Sequence, residues 1–192
     1  MKAPEIIELF EQTHDLKRTY RESNVPLKIV YMILNKAGVL DAQTRLRSGS
    51  DNTRKGAFGE VEFQRIFPDA LNCNDTKGRN NPNYDFDYHG LLVDVKTGAR
   101  RTRKSGGSEA WGIRTSIAKG YTKSHVFVAF LLEQGLPYKV NHILLIPQGV
   151  ADGQTGLYFT EGNAVMREYE VTEDELKQQI NELVEYAKAG WI

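Results

Sequence analysis

Apolar positions recurring every three to four residues mark helices at the two ends of the chain, while its middle alternates with period two. From Pro4 to Thr13, Ile6, Ile7, Leu9 and Phe10 make one stripe and Glu5, Glu8 and Glu11 face outward, which predicts a helix. A second helix is expected from about Asp15 to Glu22, with Asp15 as its N-cap and Leu16 and Tyr20 on one face. Ser23, Asn24 and Val25 turn the chain. Pro26 suits the first position of a third helix, which turns Val30, Ile33 and Leu34 inward, runs to Lys36 and ends at Gly38. Gly56 to Phe67 reads as a further helix, with Ala57, Phe58, Val61 and Ile66 inward and Pro68 as its stop. Near the C-terminus, Thr172-Glu173-Asp174-Glu175 is a capping box. It opens a helix with Leu176, Ile180, Leu183, Val184 and Ala187 on one face, ending at Gly190.

Between these helices the pattern is that of strands. Asp85 to Tyr88 alternate polar and aromatic, His89-Gly90 make a turn, and Leu91 to Thr97 form a second strand. Side chains two apart share a face, so Leu92, Asp94 and Lys96 stand on one side of that strand and Val93, Val95 and Thr97 on the other. Asp85 and Asp87 share one face of the first strand. Ser124 to Leu132 is apolar and β-branched, the pattern of a buried central strand; Val140 to Ile146 is another, and Gly156 to Thr160 a short one. Residues 71–83, rich in Asn, Asp, Gly and Lys, read as a loop. Structure resumes at Trp111 to Ile113, and Ser116 to Tyr121 suits a short turn or helix. Residues 41–55 are polar with Gly and Ser at their centre, the composition of a linker. The chain therefore divides into a small helical unit at 1–40, a basic linker at 41–55 and an α/β unit at 56–192.

A length of 192 residues suits one or two domains with a real core. The formal net charge is zero, so nucleic-acid binding must use local patches rather than a global basic field. The single cysteine, Cys73, excludes an intrachain disulfide and fits a reducing, cytoplasmic setting. Cys73 and the four histidines lack the close spacing of a structural zinc site. His125 and His142, at strand starts, read as core or rim residues. No stretch approaches the roughly 20 apolar residues that span a bilayer, and the charged N-terminal run is not a signal peptide. No membrane and no small-molecule cofactor are expected.

The hairpin carries the chemistry. Two carboxylates held close repel unless a cation sits between them. Hard oxygen ligands with room for water and phosphate suit Mg²⁺. A lysine two residues on can act on a bound water or a phosphate oxygen. The run Asp85-Phe-Asp-Tyr-His-Gly-Leu-Leu-Val-Asp94-Val-Lys96 resembles the PD-(D/E)XK nuclease superfamily, with Tyr84 in place of the proline and Asp94 as the less common acid. Gly56-x-x-Gly59-Glu60 resembles the opening of the helix that precedes the catalytic hairpin in several groups of that superfamily; Glu62 is the competing acid. The resemblance implies a restriction-endonuclease-like core, a mixed central sheet flanked by helices. It implies Mg²⁺, with Mn²⁺ as a substitute, held by Glu60, Asp85, Asp94 and the carbonyl of Val95. Lys96 would complete the catalytic set, and cleavage of double-stranded DNA would leave 5′-phosphate and 3′-hydroxyl ends.

The first three helices, from Leu16-Lys-Arg-Thr-Tyr20 through Asn24 to Gly38, resemble a helix-turn-helix reader. The resemblance implies that the third helix exposes Lys28, Tyr31, Met32 and Asn35, with Lys28, Tyr31 and Asn35 at base edges. Arg45 and Arg47, with Arg54 and Lys55, make the linker basic enough to follow a phosphate backbone. Arg100, Arg101, Arg103 and Lys104 form the densest basic cluster and suit a phosphate clamp beside the hairpin. Lys77 and Arg79 are also placed to meet phosphate. A pair of active sites for a double-strand break implies a homodimer. Restriction, homing, junction-resolving and repair nucleases all fit this pattern, as does a non-catalytic DNA-binding regulator on the same scaffold; a protein-interaction module is a further alternative.

Overall fold

The computed structural model describes residues 1–76, 84–102, 109–115, 124–151 and 153–192. Three helices come first, α1 (Ala3–Thr13), α2 (Leu16–Ser23) and α3 (Leu27–Ala37). The Asp15 carboxylate caps α2 by accepting from the amides of Lys17 and Arg18 at 2.8 and 3.0 Å. Gly38, at φ 70°, closes α3 in the left-handed conformation. Pro26 is the N-cap of α3 rather than its first helical residue, a shift of one position. Ile6, Phe10, Val30, Leu34 and Leu40 form a small core of their own between these helices.

The region read as a linker is largely helical. Helix α4 (Ala42–Ser48) is capped by Asp41, and α5 (Asp51–Ile66), capped by Ser50, starts five residues before the predicted start at Gly56. Two polar N-caps in succession carry the helical signal where the side chains between them show no apolar period. Residues 71–83 also hold more than a loop: Leu71–Asn72 form a short strand, β1, and Cys73–Thr76 a helical turn, α6. Lys77 and Arg79 lie outside the described residues.

The fold is mixed α/β. The principal sheet has the order β1-β2-β3-β6-β7-β9, where β2 is Phe86–Tyr88, β3 Leu91–Ala99, β6 Val126–Leu132, β7 Val140–Pro147 and β9 Glu170–Val171. β3 and β6 run parallel; the other neighbours are antiparallel. A smaller sheet joins β4 (Arg101–Thr102), β5 (Glu109–Arg114) and β8 (Gly156–Phe159). Helices α7 (Ala164–Tyr169) and α8 (Glu173–Lys188) complete the chain. The α8 capping box forms as its sequence predicts, with Glu175 N donating to Thr172 Oγ1 at 3.2 Å and Thr172 N to Glu175 Oε2 at 2.7 Å. Ser116 to Tyr121 lies outside the described residues.

All of β6 is buried, because the sheet is covered on both faces. On one face Val93 and Val95 of β3 and Val128 and Phe130 of β6 pack with Phe63 and Ile66 of α5 and Leu176, Ile180 and Val184 of α8. On the other, Phe127, Ala129 and Leu131 pack with Trp111, Ile113, Leu157 and Phe159 of the small sheet. Arg65 of α5 clips to Glu173 of α8 at 2.6 Å. Phe63, absent from the predicted inward stripe of α5, is fully buried and stacks 4.7 Å from Phe86.

Helix α5 reaches the sheet at Gly59. A Cβ there would stand 2.6 Å from Thr97 Cγ2 and 3.2 Å from Val95 Cγ1, whereas one at Gly56 would meet nothing within 4 Å. Gly59→Ala should therefore push α5 off β3 and destabilise the protein by about 1–3 kcal/mol. Gly56→Ala, in the same helix, should stabilise it by roughly 0.5–1 kcal/mol. Denaturant unfolding of the two variants checks the opposite signs.

Candidate active site

The β2–β3 hairpin forms in the predicted register, with Tyr88 opposite Leu91 and Phe86 opposite Val93. His89 and Gly90 both take positive φ, 53° and 95°, as a tight primed turn requires. Asp87 serves this turn, its Oδ1 accepting from Gly90 N at 2.9 Å. Asp85 stands just before β2 and continues the ladder. Its amide donates to Val93 O at 2.9 Å, and its Oδ2 accepts from Val95 N at 2.8 Å, where a backbone carbonyl would otherwise serve. Asn74 of α6 donates its side-chain amide to the other carboxylate oxygen at 3.0 Å. Asn74 was not singled out from sequence; it lies 11 residues upstream, and only the pairing of β1 with β2 brings it to Asp85.

Asp94 and Lys96 share a face of β3, as alternation predicts, and it is the face opposite α5. Lys96 Nζ donates to Asp94 Oδ1 at 2.5 Å and lies 6.0 Å from the centre of the Phe127 ring. Asp94 is only 7% exposed. Burial pushes its carboxyl up to about 8, against the pull of the Lys96 ammonium; the neighbouring Asp85 charge and a hydrogen bond with Asp85 raise it further. The structure thus brings Asp85, Asp94 and Lys96 together at the hairpin.

Glu60 belongs to a different element, the helix α5. It is 7% exposed on α5, the helix covering the Val95 face. Arg45 of α4 grips it in a fork, Nη1 to Oε1 at 3.0 Å and Nη2 to Oε2 at 2.5 Å. Glu62, the competing acid, pairs with Arg65 at 3.0 Å. Among the described residues, no group of three or more His, Cys, Asp or Glu side chains is placed to hold a metal ion. The converging Asp85 and Asp94 nevertheless fit a hard divalent cation, because a carboxyl raised by burial, and further by a second carboxylate, is stabilised as its anion by such an ion.

The predicted nucleic-acid contacts divide. Lys28 and Asn35 are exposed on α3, with Met32 64% and Ile29 44% exposed beside them. Tyr31 is not on that face: it is half-buried against the small helical core, its hydroxyl enclosed and its pKa raised by burial. Arg45 is engaged with Glu60, whereas Arg47 is exposed. Arg100 pairs with Glu109 and lies 5.3 Å from the Trp111 ring; Arg101 is exposed. Arg103 and Lys104 lie outside the described residues. A cavity of about 360 Å³ at the Ala99 end of β3 is lined by Lys55, Arg100 and Arg101 but also by Asp51 and Glu133, so its charges nearly balance. His125 is structural: its Nδ1 accepts from Leu92 N at 3.0 Å, and burial lowers its pKa. His142 meets Glu170 at 2.6 Å on the sheet's far side. No described helix is long and apolar enough to cross a membrane.

No protein-family model matches the chain, and no curated protein matches it. Among solved structures, a bacterial homing endonuclease, I-Ssp6803I, superposes with a TM-score of 0.43 at 16% identity, over 73% of this chain and 96% of its own. At that distance the chemistry of the pocket has to stand on its own residues.

The raised carboxyl of Asp94 has a signed consequence for stability. Its folded pKa, about 8, lies above the ordinary 3.8, so the folded state holds the proton more tightly than the unfolded chain. Stability from this group is complete at low pH and is lost as pH rises to about 8. In thermal unfolding without metal, Asp94→Asn should gain on the wild type steadily from pH 5 to pH 8.5.

Proposed function

We propose that the chain is a metal-dependent endonuclease acting on double-stranded DNA, with a restriction-endonuclease-like core. The observation that carries this reading is the convergence of Asp94, buried and raised, with Asp85 and Lys96 at one hairpin. A carboxylate pair that is costly without a cation, beside a lysine, is suited to metal-assisted phosphodiester hydrolysis. Asp85 and Asp94 would hold Mg²⁺, or Mn²⁺ in its place, with the Val95 carbonyl and Glu60 as further candidate ligands. The ion supplies Lewis-acid activation of water and of the phosphate. Lys96 orients the attacking water and stabilises the developing phosphorane charge. Asn74 and the Val95 amide fix the Asp85 carboxylate, and the apolar surround of Asp94 limits water. Products with 5′-phosphate and 3′-hydroxyl ends follow from attack by water with release of the 3′ oxygen.

In the same reading, Lys28 and Asn35 offer polar contacts to base edges and Arg47 and Arg101 to phosphates. Exposed Ile29 and Met32 suit an interface between two copies, which would pair two active sites for a double-strand break. Sedimentation should then show a dimer on target DNA.

One observation favours a second reading. Lys96 on Asp94 and Arg45 on Glu60 compensate the buried acids without any metal, as a non-catalytic DNA-binding scaffold would require. Plasmid cleavage with Mg²⁺, set against DNA binding in EDTA, separates the two. For the nuclease, Asp94→Ala and Lys96→Ala should each abolish cleavage and leave binding in EDTA largely intact. Asp87→Ala should cost stability through the turn and keep cleavage. Wild-type protein that binds DNA but never cuts it decides for the scaffold.

A further inference from the structure

We propose that the Arg45–Glu60 pair is the joint that sets how the N-terminal helices sit on the catalytic sheet. The small core of α1 to α3 ends at Leu40 and shares no residue with the two clusters that line the sheet. Between them runs α4, which has no fully buried residue. Arg45 nevertheless sends its guanidinium into a nearly dry site, its side chain 20% exposed and that of Glu60 9%. On its other side the Arg45 charge acts on the enclosed hydroxyl of Tyr31 in α3. The guanidinium of α4, a helix that follows directly on the small core at Leu40, is thus fixed to a residue of α5, the helix that meets the sheet at Gly59.

The chemistry suits a joint better than a surface contact. A forked Arg–carboxylate pair fixes direction as well as distance. Removing either partner removes the whole fork, so the two substitutions act on one contact. In the nuclease reading this joint sets how far DNA held on α3 lies from Lys96. The joint itself needs neither metal nor DNA, so it can fail while that reading stands, and the reverse.

The test uses the full chain without DNA or metal and measures limited proteolysis between residues 38 and 50. Proteolysis at native conditions follows the population of the open form. Arg45→Ala and Glu60→Ala should each raise the cleavage rate in this segment about tenfold, with the fragments on either side still folded. The double variant should open no further than either single one, because both remove the same contact. Should a single variant not fold, Arg45→Met with Glu60→Gln removes both charges together and should open the same segment. Unchanged proteolysis in the variants overturns the joint, and so do effects that simply add. Thermal unfolding of the same variants with and without Mg²⁺ gives one more overturning outcome: Glu60→Ala abolishing stabilisation by Mg²⁺ while Arg45→Ala preserves it assigns Glu60 to the metal.

Discussion

The molecule depends on one constraint, the burial of Asp94 on a strand that is also the sheet's centre. β3 must present valines to α5 and α8 on one face and an acid and a lysine on the other. It holds that arrangement because β6 pairs with it in parallel along the full run from Val93 to Ala99. A strand fixed by so many backbone bonds cannot slip by one residue without turning Asp94 into the main core and Val95 out of it. The acid thus stays in an environment that resists its charge.

The surroundings of Asp85 show the same economy. β2 begins at Phe86, and just before it the side chain of Asp85 takes over the role of the next backbone acceptor for β3. This makes the carboxylate part of the sheet's hydrogen bonding, so its position is as well determined as a backbone atom. Asn74 then fixes its rotation. Preorganisation of this kind matters wherever a group must meet a cation or a reacting oxygen without rearranging.

The acids on either side of β3 are treated differently. Asp94 faces a lysine two residues along its own strand. Glu60 faces an arginine from another helix in a fork that satisfies geometry and charge together. The first arrangement is suited to exchange of partners; the second is suited to holding elements in place. Helix α4 and the first turn of α5, which together replace a flexible tether, make the same point: the two units of the chain meet through ordered helices.

Much of this was legible in the sequence because it is local. The caps at Asp15 and Thr172, the turn at His89-Gly90, and the alternation that pairs Asp94 with Lys96 all act within four residues. Backbone geometry alone converts such spacing into position. The helix at 42–48 was missed because its signal is a polar cap at Asp41 without an apolar stripe. Tyr31 was expected on an open face and is half-buried, since helical period assigns a face but not what packs against its margin. The partners of Glu60 and Asp85 were out of reach for a different reason. Arg45 and Asn74 lie 15 and 11 residues away, and nothing in the chain's local pattern chooses among the many cations and amides at such distances. The sequence by itself determined most of the helices, and the hairpin that sets Asp94 and Lys96 on one face. Only the tertiary structure decided which charges are buried and which partners neutralise them, because desolvation depends on elements that meet after the chain has folded.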